Sequence, residues 1–157
     1  MLEALGNIGD FLGGIGVVVT LLYLAGQIRQ NTRASRAETY QGLSSQFAST
    51  INSIASSLES TRIYNTGLRD YSELAEEERT QFNFSMHAAF VAFENAFYLQ
   101  QYGALERELW GKWASQLEWY TRRAGVIAWW KLSQAFFGES FREHVNSLIA
   151  SKGDPAI

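Results

Sequence analysis

The sequence predicts an all-α protein in which a long N-terminal transmembrane helix continues into a cytoplasmic helical bundle. Three observations carry that prediction. Phe11 to Ile28 is a run of 18 residues without a charge. Beyond it, apolar residues recur at spacings of three and four, and no strand-like alternation interrupts them. Finally, 16 of the 22 aromatic residues lie between Phe82 and Phe141, which is enough ring surface to fill a core in the second half. The expected division is a transmembrane segment at 1–28 and a helical domain at 29–157.

The apolar run justifies the first element. As a helix it spans roughly 27 Å at 1.5 Å per residue, close to the ~30 Å of a hydrocarbon core. Four glycines, Thr20 and Gln27 dilute its hydrophobicity. Charge placement compensates. All 13 Lys and Arg residues follow position 28, whereas Glu3 and Asp10 precede the run. The positive-inside rule then predicts an N-terminus outside the membrane and a cytoplasmic remainder. A cleaved signal peptide would carry a positive leading region, and no Lys or Arg precedes Arg29.

The helical pattern continues to about Leu58. Tyr40, Leu43, Phe47, Ile51, Ile54 and Leu58 make one apolar stripe on a Ser/Gln/Asn/Thr surface, expected to cover the aromatic half of the chain or a neighbour. The segment "ESTRIYNTGLRDYS" reads as a connector, with Asn65-Thr66-Gly67 as its turn. A second helix opens at Glu76-Glu77-Glu78, where the helix dipole favours acids, and ends at Gly103. Its apolar face is Phe82, Met86, Phe90, Phe93 and Phe97. A third runs from about Leu105 to Arg123 until Gly125 breaks it, a fourth from about Val126 to Phe137, and a short last one presents Phe141, Val145, Leu148 and Ile149.

Composition removes several chemistries. There is no cysteine, which excludes disulfides, cysteine-ligated zinc and a cysteine nucleophile. A net charge of −3 gives no general attraction to nucleic acid. No phosphate-binding glycine loop, nucleophile elbow or catalytic triad spacing is present. No cofactor and no metal site is expected.

Three constellations remain. Gly9, Gly13, Gly16 and Thr20 fall at spacings of four, three and four, so they share a face. Gly9 and Gly13 have the small-xxx-small spacing that lets membrane helices approach closely. Continuing that face reaches Gln27 and Asn31, so it would serve helix–helix packing or, in a ring of copies, a polar pore lining. Arg29, Arg33 and Arg36 share a face at the expected headgroup level, where they would fix topology or meet anionic lipid. His87, Glu94, Tyr98 and Gln101 form a stripe beside the phenylalanine face of the second helix. Glu94 is flanked by apolar residues, and a buried carboxylate needs a partner or a proton. It would join a hydrogen-bond network with Trp, Tyr or Arg groups, or, with His87, an acid–base site. The Glu-x-x-His pairs of helical di-iron bundles are absent.

Three stretches together, "GDFLGGIGVVVTLLYLAGQIRQNTRA", "FENAFYLQQYGALERELWGKW" and "GVIAWWKLSQAFFGESFREHVNSLI", resemble a widespread uncharacterised family of small bacterial proteins. The resemblance spans nearly the whole chain. It implies one N-terminal membrane helix and a helical cytoplasmic domain, and it supplies no activity. Gly26 departs from the family by replacing a bulkier apolar residue, and "RRAGVIAWW" lacks a proline often found before that glycine. The expected function is thus oligomerisation or partner binding at the inner membrane, without a defined reaction. Membrane lipids and further copies, or another membrane subunit, would be the partners. A small homo-oligomeric channel, and an apolar-ligand module or enzyme built on Glu94 and nearby aromatics, are the alternatives.

Overall fold

Without a proline before Pro155, nothing in the chain's chemistry forces an early helix break. In the computed structural model, α1 runs Leu2–Ala55. The structure describes the backbone of residues 2–151 and the side chains of residues 14 and 16–151. Five helices follow: α2 (Leu58–Arg69), α3 (Glu76–Gln101), α4 (Arg107–Thr121), α5 (Ala124–Ser133) and α6 (Glu139–Ala150). Two 3₁₀ turns, Tyr71–Glu73 and Gln134–Phe136, flank α3 and α6. Among the described residues there is no strand. The chain separates into two compact units, residues 1–39 and 40–157.

In the first unit the apolar residues Val17, Val18, Val19, Leu21, Leu22, Leu24 and Ile28 are all exposed. They spread over more than half of the helix circumference, leaving only the face of Gly16, Thr20 and Gln27, so no narrow stripe can be turned inward. No helix among the described residues is long and apolar enough to cross a membrane. The uncharged run straddles the edge of that description.

The second unit is built around α3, which lies against α2, α4 and α5. Phe82, Met86, Phe90, Phe93 and Phe97 are all buried, as their helical spacing predicts. Phe90 is the hub. Its ring centroid lies 4.9 Å from Trp129, 5.3 Å from Trp130 and 5.7 Å from Phe93. The stripe on residues 40–55 covers the same core: Leu43 and Phe47 are buried, and Phe47 sits 5.5 Å from Phe93 and 5.4 Å from Trp113. Ile51 instead stays exposed on a groove wall. The helix α6 closes the bundle through Phe141, 5.6 Å from Phe97.

Local chemistry sets the ends. Ser57 caps α2 by accepting from the Ser60 amide at 3.0 Å. Glu78 reaches back to the Ala75 amide at 2.9 Å at the start of α3. Gly103, with φ 68°, ends the segment after α3 in the left-handed region that glycine adopts without strain.

Two expectations are corrected. The supposed connector is a helix, and Gly67 is buried inside it. The supposed breaker Gly125 lies in the first turn of α5, while the chain turns at Arg122 and Arg123. Both glycines serve close approach instead of a turn. A Cβ on Gly67 would strike the Phe82 ring, and one on Gly125 would overlap the Gly67 carbonyl oxygen. The two backbones touch where α5 meets α2, and only a residue without a side chain fits.

Candidate functional site

The proposed packing face lies partly within the described residues. Gly9 and Gly13 lie outside the residues whose side chains are described. Gly16 is exposed, and a Cβ there would meet nothing within 4 Å, as also at Gly14 and Gly26. Among the described residues nothing therefore requires glycine at these three helical positions. Each costs roughly 1 kcal/mol of helix stability relative to alanine. Thr20 donates to the Gly16 carbonyl at 2.8 Å, and the Gln27 amide donates to the Tyr23 hydroxyl at 2.8 Å. Gln27 and Asn31 border a shallow hollow with Ile28, Gln30 and Ala34. Arg29, Arg33 and Arg36 are exposed, and among the described residues none has an ion-pair partner.

The second constellation resolves into packing and capping. Glu94 is half-buried and accepts from the Gly138 backbone amide at 2.6 Å. Gly138 is the N-cap of α6, so the carboxylate does from another helix what the N3 Glu of a capping box does locally. The bond supplies an acceptor to an otherwise unpaired donor and ties α3 to α6. The expected Trp, Tyr or Arg partners are thus replaced by a main-chain group. The Trp130 indole N–H donates instead to Asn146 at 2.8 Å. The Tyr98 hydroxyl sits where a Cβ on Gly138 would go, which explains the glycine. His87 is exposed, with its ring 5.3 Å from Phe137 and 6.1 Å from Phe136. Gln101 is exposed at the end of α3. No group of three or more metal-ligating side chains exists among the described residues.

Four of the five tryptophans are buried or half-buried in the bundle. Trp119 is exposed, and the Arg123 guanidinium lies over its ring at 4.1 Å. Next to them, the Tyr64 and Tyr120 hydroxyls meet at 2.6 Å, with burial pushing both phenols above their ordinary value. These four residues were not brought together by sequence reasoning. Trp119 and Arg123 are four apart and could have been paired. Tyr64 and Tyr120 are 56 residues apart and carry no local signal.

With this geometry in view, the chain was compared with known proteins. It matches no protein-family model, no curated protein and no solved structure.

Proposed function

We propose that the protein is anchored at the bacterial inner membrane by its N-terminal helix and acts there by associating with copies of itself or with another membrane subunit. The observation that carries this reading is the exposure of every apolar residue from Val17 to Leu24, over more than half of the helix circumference. Apolar surface exposed over so wide an arc of a helix needs an apolar environment, either lipid or other helices. Two further features support it. Arg29, Arg33 and Arg36 follow at once, where headgroups would meet them. The glycines without an intrachain reason fit a surface that another backbone approaches.

Packing is favoured over a pore lining because two of the three polar side chains on the face, Thr20 and Gln27 but not Asn31, bond within their own helix. Thr20 bonds its own helix and Gln27 bonds Tyr23. Fractionation tests the anchor: the full chain should sediment with membranes, resist alkaline extraction and dissolve only in detergent. Release into buffer without detergent would end the proposal. Association is tested by mass in detergent, which should fall when Gly16→Leu blocks close approach. An unchanged mass would remove the glycine face from the reading, and a ring of four or five copies would revive the pore.

A further inference from the structure

A groove in the helical bundle, remote in sequence from the apolar N-terminal run, has the chemistry of a binding site. It runs between residues 51–55 of α1, the start of α2 and the outer face of α4. The groove has a volume of about 690 Å³, within the range of small-molecule sites. Ile51, Ile54, Ala55 and Trp119 give it apolar walls. Ile51 and Trp119 are 46% and 43% exposed, a standing cost in water that an apolar occupant would relieve.

One end is basic. A second hollow of about 550 Å³ shares Asn65 and Trp119 with the first and is lined by Arg69, Arg122 and Arg123. Arg69 pairs with Glu73 at 2.9 Å, and Arg122 pairs with Glu118. Arg123 has no carboxylate among the described residues. Its guanidinium carbon lies 4.1 Å from the centre of the Trp119 ring, a contact that uses the face of the cation and none of its five N–H donors in a hydrogen bond to the ring. Beside it, one of the Tyr64 and Tyr120 phenols accepts from the other and has no other partner among the described residues, so it keeps its own proton to donate. The Arg123 charge reaches Tyr64, where it opposes the rise that burial imposes on that phenol.

We infer that this groove binds an amphipathic acid, with its acyl chain along Ile51, Ile54 and Trp119 and its acidic head on Arg123. The match lies in the order of the chemistry, an apolar trough ending at a cation that lacks an anion. A neutral chain would leave Arg123 without an anion, and a small hydrophilic anion would leave the trough wet. The same chemistry is offered by a free fatty acid and by an acidic phospholipid.

Photolabelling tests this on the full chain held in amphipol, using palmitate with a chain-borne diazirine. Labels should map to peptides containing Ile51, Ile54 or Trp119, and excess palmitate should compete. Hexadecanol, with the same chain and no charge, should compete about ten-fold more weakly, as loss of one charge-assisted hydrogen bond implies. Arg123→Gln should weaken labelling about as much, and Ile54→Trp, which fills the trough, should abolish it. Because Arg123 is exposed, its variant tests the head even if Ile54→Trp fails to fold. A phospholipid bearing the same diazirine, supplied in vesicles, distinguishes the sources. Labelling of the groove from vesicles identifies a bilayer lipid, and labelling only by the free acid identifies the fatty acid. Labels confined to residues 11–28 or equal competition by hexadecanol would overturn the inference. So would loss on Lys112→Gln in place of Arg123→Gln, since Lys112 lines the opposite end.

Discussion

Val18 and Phe93 are both apolar residues on helices, yet Val18 is 56% exposed and Phe93 is wholly buried. The contrast extends to their regions. In residues 40–151 the apolar side chains find partners within the chain, ring against ring around α3. In the described part of residues 1–39 they find none. The glycines repeat the difference. Gly67 and Gly125 are pressed against other parts of the fold, whereas Gly16 and Gly26 face open space. One region is completed by intramolecular packing, and in the described part of the other the apolar side chains stay exposed.

Truncating the core should break this comparison most severely. Phe93→Ala should cost about 4 kcal/mol, read from the shift in denaturant midpoint of the full chain in detergent. A loss below about 1 kcal/mol would mean that the ring cluster is not the source of stability. Gly125→Ala should follow at about 3 kcal/mol, since its methyl group must push two backbones apart. If it were neutral, the close contact of α2 and α5 would be wrong.

Glu94→Ala should cost about 2 kcal/mol by stranding the Gly138 amide, and Glu94→Gln should recover most of that because an amide oxygen can still accept. Equal losses for the two variants would point to the charge and away from the cap. A smaller, pH-dependent effect comes from His144, stacked on Phe97 at 5.0 Å, where burial holds its pKa below the ordinary value of 6.5. The unfolded chain then binds the proton more tightly. Stability should be level above about pH 6.5 and decline as pH falls below it. His144→Leu should flatten that decline, and a slope unchanged by the substitution would assign it elsewhere.

The smallest effect on unfolding belongs to the other region. Leu22→Ala should leave the denaturant midpoint of the bundle within about 0.5 kcal/mol, because Leu22 touches no core. Its consequence should appear in membrane partition. A large loss of stability would show that the N-terminal helix does belong to the folded core.

Much of this architecture could be read from residue spacing. The face of α3 from Phe82 to Phe97, the acidic start at Glu76 and the stop at Gly103 follow local rules of period, dipole and φ, and each was found where expected. The reading failed at Gly67 and Gly125. A glycine in a sequence looks the same whether it turns a chain or admits a neighbour, and the neighbour here is 58 positions away. Glu94 was recognised as needing a partner, but a backbone amide leaves no mark in the side-chain pattern.

What the sequence determined by itself is therefore the helical class, the core face of α3 and the presence of an apolar segment followed by arginines. These depend on each residue's relation to neighbours within a turn or two. Only the tertiary structure decided that α2 is a packed helix, that Glu94 caps α6, and that Trp119, Arg123, Tyr64 and Tyr120 meet beside one groove. Those facts depend on which surfaces come together across 40 to 60 residues, and packing, not local periodicity, makes that choice.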